Sequence, residues 1–169
     1  HHPAGTSGSR CMNCHMPHTT YGLLKAIRSH TIDSPKVSAV GRYDRPNACN
    51  LCHLDKTLEW TAGHLTDWFE QPRPELNEEQ KTVAAGPLWI LKGDAGLRAL
   101  MAWHLSWQPA HKASDTEWIP PYLAVLIDDD YHAVRVIASR TLKQFPDYRQ
   151  IAYDFLAPAQ HRRGPALEL

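Results

Sequence analysis

All four cysteines of this chain fall in two close pairs, and each pair is followed at once by a histidine: Cys11-Met12-Asn13-Cys14-His15 and Cys49-Asn50-Leu51-Cys52-His53. With 11 histidines in 169 residues, chance places histidine after both pairs roughly 0.4% of the time, so the doubled pattern calls for a chemical cause. C-x-x-C-H is the attachment signature of c-type haem. Two thiols at this spacing each form a thioether to one edge of a single porphyrin, and the adjacent imidazole reaches the iron from one side. A covalent tether also lets a short, loop-rich polypeptide hold a large cofactor that would otherwise dissociate.

Other uses of paired cysteines fit less well. Zinc ribbons separate their two pairs by roughly 15–20 residues, whereas 34 residues lie between Cys14 and Cys49. A thioredoxin-like pair needs a βαβ setting, which the sequence does not suggest. Disulfides have no use for a histidine after each pair. The expectation is two haem c groups, with Cys11, Cys14, Cys49 and Cys52 as thioether donors and His15 and His53 as proximal iron ligands. Covalent attachment places assembly outside the cytoplasm. The expected location is periplasmic or extracytoplasmic, with the export signal removed and so absent from this chain.

The distal ligands are expected to be histidines, giving bis-histidine irons. Of the three methionines, Met12 lies inside a motif, Met16 directly follows a proximal ligand, and Met101 belongs to a helical core. His30, between the motifs, is assigned to the second haem, with the first as its alternative. His2 is assigned to the first haem, with His1 close behind; both precede a Gly/Ser segment able to fold back. His64 shares a helix face with Trp60 and Trp68, and reads equally as a core histidine or as a distal alternative. His18 is expected to be exposed, and His104, His111, His132 and His161 to be surface or packing histidines. Tyr21, Tyr43, Trp60, Trp68 and Phe69 are candidates to line haem faces. Arg10, Arg28, Arg42 and Arg45 are candidates to pair with propionates.

The neutral total charge, 18 basic against 18 acidic residues, conceals two unlike halves. Residues 1–60 hold 7 Lys+Arg against 4 Asp+Glu, and residues 61–169 hold 11 against 14. That balance argues against a nucleic-acid surface. The 43% hydrophobic content excludes wholesale disorder, and no apolar run is long enough to cross a bilayer. The first half is rich in breakers, with one short helix expected over 21–28 and no strand alternation. It has too few apolar residues to fold alone, so something else must fill its centre.

From Leu54 the pattern turns helical. Leu54, Leu58, Leu65, Trp68 and Phe69 share a face, and Gln71-Pro72-Arg73-Pro74 marks a boundary. Asn77-Glu78-Glu79-Gln80 reads as a capping box opening a helix to about Leu91. Gly93-Asp94 then caps a helix to about Trp107, and a loop runs through Pro109 to Ser114. Helices are expected over 117–127, 131–145 and 148–155. Leu97-Arg98 and Val134-Arg135 repeat 37 residues apart, and an acidic turn, Asp128-Asp129-Asp130, joins the second pair. This resembles HEAT-like repeats. The expected fold is mainly α: a loop-rich dihaem cytochrome c module over 1–72, then a small HEAT-like α-helical module over 73–169.

At Cys11-Met12-Asn13-Cys14-His15-Met16-Pro17 the sequence resembles multihaem cytochromes c, where C-x-x-C-H-M-P is a frequent variant. The strings Arg10 to His30 and Pro46 to Trp60 look like one bacterial group that joins multihaem modules to C-terminal HEAT or tetratricopeptide repeats. That resemblance implies either a separate dihaem subunit or the C-terminal part of a longer multihaem protein. In the second case His1 or His2 would serve an upstream haem. More distantly the group is similar to pentahaem nitrite reductases and hydroxylamine oxidoreductases, which need a haem with an open distal site. No lysine-based attachment motif occurs here. The leading expectation is an electron-relay subunit rather than an enzyme, passing electrons to other redox proteins or cytochrome subunits. It would meet a membrane-associated complex only through partners, since no transmembrane segment is expected. The alternatives are a small reductase of nitrite or hydroxylamine type and a haem-bearing scaffold.

Overall fold

The computed structural model describes residues 2–37 and 46–162, so the expectations for His1, Arg42, Tyr43 and Arg45 fall outside the described residues. The architecture is mainly α. After a 3-10 turn at Ser7–Ser9, α1 spans Cys11–His15. The helix expected over 21–28 is instead a hairpin of β1 (Thr20–Gly22) and β2 (Lys25–Ile27), antiparallel, with Tyr21 opposite Ala26. Its two-residue turn puts Leu23 and Leu24 at φ 52° and 55°. Such turns ordinarily carry Asn-Gly or Asp-Gly; with leucines there, the sequence bore no hairpin signal.

Helix α2 (Leu58–Phe69) starts where the Oγ1 of Thr57 accepts from the Trp60 N–H at 3.0 Å. Leu58 and Leu65 face the core as expected, but Trp68 and Phe69 are 46% and 54% exposed. The capping box forms in full, Asn77 and Gln80 exchanging side-chain to backbone bonds. The helix it opens, α3 (Glu78–Thr82), stops early, and α4 (Ala85–Lys92) starts afresh. Pro87 explains the break. In one continuous helix it would sit in the interior, clashing with the Val83 carbonyl. The break moves it into a first turn, where its missing N–H costs nothing. The freed N–H groups of Ala85 and Gly86 donate to Lys56 O at 2.8 Å and Leu54 O at 2.9 Å. The start of α4 therefore holds the loop that leaves the second C-x-x-C-H.

Asp94 caps α5 (Ala95–His104). The expected loop from Pro109 to Ser114 is helix α6 (Gln108–Ser114), with Pro109 in its first turn. Then come α7 (Ile119–Ile127) and α8 (His132–Leu142). The helix expected over 148–155 is absent. Only a 3-10 turn at Pro146–Tyr148 forms, because the following backbone is drawn to the preceding helices. The Tyr153 hydroxyl donates to the Ile127 carbonyl, and Nε of Arg135 donates to Phe155 O at 2.8 Å.

One hydrophobic core runs from Ala26, Leu51 and Leu54 through α2, α4, α5 and α7 to Leu142 in α8. Helix α5 packs against both strands of the hairpin on one side and α8 on another. The two segments on either side of residue 72 thus share one interior. The first half, poor in large apolar residues, folds by leaning on the helices. Arg98 and the deeply buried Arg135, at matching places in α5 and α8, converge on one acidic turn. Arg98 forks onto the Asp129 carboxylate at 2.5 and 3.1 Å, and Arg135 donates to the carbonyls of Asp129 and Asp130 at 2.6 and 3.0 Å. Among the described residues, no helix is long and apolar enough to cross a membrane.

Candidate functional site

The first motif is a single helical turn. In a helix, positions i, i+3 and i+4 are neighbours, so Cys11, Cys14 and His15 lie on one face. Asn13 is turned inward and buried. Its Nδ2 donates to Ser7 O at 2.8 Å, and its Oδ1 accepts from Nη2 of Arg28 at 2.6 Å. Nη1 of Arg28 donates to Met12 O and Met16 O at 2.7 and 2.9 Å. Arg28 thus clamps the turn from its carboxyl end, where a cation is favoured. His15 is exposed, with Nδ1 at 2.9 Å from the Asp33 carbonyl. A carbonyl only accepts, so Nδ1 carries the proton and Nε2 keeps its lone pair. Asp33 N–H returns a bond to His15 O at 3.0 Å, and Ser29 N–H donates to Pro17 O at 2.9 Å.

The second motif folds alike: the N–H groups of Cys52 and His53 donate to Cys49 O at 3.2 and 2.9 Å. Its organiser is Asn50, fully buried. Nδ2 donates to His53 O and Lys56 O at 3.2 and 3.0 Å, and Oδ1 accepts from Asn47 Nδ2 and Thr61 Oγ1 at 2.8 and 2.6 Å. Ser114 of α6 closes the exit, donating to Cys52 O at 2.5 Å and accepting from Leu54 N–H at 2.8 Å. All four cysteines are free thiols. Burial pushes Cys49 up to about 11 and Cys52 to about 12, with Cys14 close enough to add to both. Burial, and then Cys11, also raise Cys14. The two motifs are therefore neighbours in space.

Around His53 runs a row of rings. His2 lies on one side, its centroid 6.2 Å from that of His53 with planes 30° apart. The centroids of His53–Trp60, Trp60–His64 and His64–Trp68 are spaced by 4.9, 4.4 and 4.6 Å. The structure thus places His2, assigned from the sequence to the first haem, against the second motif. His30 is exposed, on a segment tied at Ser29 and Asp33 to the first motif. His64 sits between Trp60 and Trp68. His18 is a correction: it is half-buried between Trp103 and Trp107, at centroid distances of 4.9 and 5.2 Å. The cause is the fully buried His104, whose Nε2 donates to His18 O at 2.9 Å and draws that residue onto α5.

The donors fit haem c. Each thiol pair shares a turn with one imidazole, and His15 donates through Nδ1 to the Asp33 carbonyl, which leaves the Nε2 lone pair for a metal. Among the described residues no three His, Cys, Asp or Glu side chains gather as a closed metal site would need. Sequence reasoning missed Asn13, Asn50 and Ser114, which shape the motif backbones. A polar residue inside a C-x-x-C was the only available signal, and Ser114 had none. Comparison of the chain with protein-family models, curated proteins and solved structures gives no match.

Proposed function

We propose that this protein is an extracytoplasmic c-type cytochrome carrying two covalently bound haems, and that it relays electrons to other redox proteins. The observation that carries this reading is the shared form of the two motifs. In each, one turn sets two thiols beside an imidazole, and a buried asparagine fixes that turn. Cys11 and Cys14 would hold one haem with His15 as proximal ligand, and Cys49 and Cys52 the other with His53. Haem c supplies a one-electron couple whose potential depends on axial ligands, hydrogen bonding and burial.

The protein's own part is to hold and orient. The Asp33 carbonyl keeps His15 in one tautomer and raises its basicity as a ligand. Asn50 and Ser114 fix the loop that carries His53. The core under Leu51 and Leu54 keeps water from one side of the second motif. Each ferric bis-histidine haem would add about −1 to the charge, making the loaded protein acidic overall. The helix pairs α4/α5 and α7/α8, with Arg98 and Arg135 on one acidic turn, would form HEAT-like units and a docking frame for redox partners.

Low-temperature EPR with near-infrared magnetic circular dichroism on the matured protein tests this reading. Two low-spin ferric sites are expected, and a five-coordinate high-spin iron at either site would favour a reductase instead.

A further inference from the structure

The arm preceding the first motif carries His2 to the second motif, and three features hold it there. The first is the ring pair itself. Two imidazoles on opposite sides of one metal ion have centroids about 6.2 Å apart, from a metal–nitrogen bond of about 2.0 Å and about 1.1 Å from nitrogen to ring centre. His2 and His53 stand 6.2 Å apart, the separation that one metal ion between them requires. The second is Gly8, where an added Cβ would lie 2.1 Å from Cδ2 of His2. Only glycine leaves room for the ring. The third is the anchor: Asn13, itself gripped by Arg28, holds the carbonyl of Ser7 at 2.8 Å. The path from the anchored turn back to His2 is thereby set by the first motif's own helix.

We propose that His2 is the distal ligand of the iron attached through Cys49 and Cys52, opposite His53. The two haem sites are then interlocked: the segment that opens the first motif completes the coordination of the second. This rests on the dihaem reading above. It assigns His2 differently from the sequence, where a Gly/Ser segment able to fold back pointed to the first haem.

The test uses the full chain matured with haem. In His2→Gly, intact mass should still show two covalent haems, while one of the two low-spin ferric EPR signals gives way to a high-spin one. Added imidazole should restore it. In a Cys49→Ala/Cys52→Ala background, which keeps only the first haem, His2→Gly should change nothing. In Cys11→Ala/Cys14→Ala it should convert the remaining haem. Survival of both low-spin signals in His2→Gly would overturn the proposal, as would conversion of the first haem alone. If neither background folds, a crystal structure of the intact matured protein decides, since any ligand other than His2 opposite His53 contradicts the assignment. Failure of the dihaem reading looks different: the unsubstituted chain would then carry no covalent haem in its mass.

Discussion

Nδ1 of His15 and the backbone carbonyl of Asp33 lie 2.9 Å apart, while the Asp33 N–H donates back to His15 O at 3.0 Å. Both hydrogen bonds are made through the Asp33 backbone, so Asp33→Ala should keep them and remove only the carboxylate charge that also acts on His15. Asp33→Pro removes the returning N–H and loosens the carbonyl that sets the imidazole. A less basic ligand stabilises ferric iron less. One of the two midpoint potentials should therefore move in the positive direction in Asp33→Pro, and further than in Asp33→Ala, as read by spectroelectrochemical titration. Equal behaviour of the two variants would remove this bond from the account.

Asn50 should be the most costly single polar residue in the second motif. Asn50→Ala strips the Asn47 and Thr61 donors and the His53 and Lys56 carbonyls of their shared partner. At about 1–3 kcal/mol for each buried group left unsatisfied, a loss of about 3 kcal/mol or more is expected in urea unfolding. A loss under about 1 kcal/mol would mean that water replaces the side chain.

Acid should destabilise the interface between the hairpin segment and α5. Burial drives His104 down to about 3, and burial with the nearby Arg28 charge drives His18 to about 4. Unfolded histidine titrates near 6.5. Between about pH 6.5 and those folded values the unfolded chain takes up protons that the folded chain refuses, so stability falls as pH falls through that window and is flat above it. The urea midpoint followed from pH 7.5 to 4 should show this, with a shallower slope in His104→Leu. An identical slope in that variant would exclude His104 as a cause.

Leu23 and Leu24 hold left-handed backbone that costs roughly 1–2 kcal/mol per non-glycine residue. Leu23 is 86% exposed, so little burial is lost on its replacement. Leu23→Asn/Leu24→Gly should stabilise the chain by about 1 kcal/mol, visible as a higher thermal midpoint. A lower midpoint would show that Leu24 contributes more through packing than the turn costs.

The local turns and caps of this chain were more legible in its sequence than the contacts between its distant segments. The C-x-x-C-H pairs, the Asn77 capping box and the Asp94 cap are local signals, readable because each depends on residues within one turn. The hairpin was invisible because its turn uses leucines, and the break before α4 because the apolar run continues through Pro87 to Leu91. The burial of His18 and the place of His2 beside His53 are set by distant partners, His104 with Trp103 and Trp107 in one case and Gly8 in the other, and no spacing rule along the chain reaches that far.

Covalent loading of both motifs is the claim on which everything else rests. The most direct measurement is the intact mass of the chain expressed with a haem-maturation system, followed by peptide mapping of the loaded cysteines. A mass increase of two haems is expected, one on the peptide holding Cys11 and Cys14 and one on that holding Cys49 and Cys52. A chain that folds with its four thiols free, or bound to zinc, would contradict it.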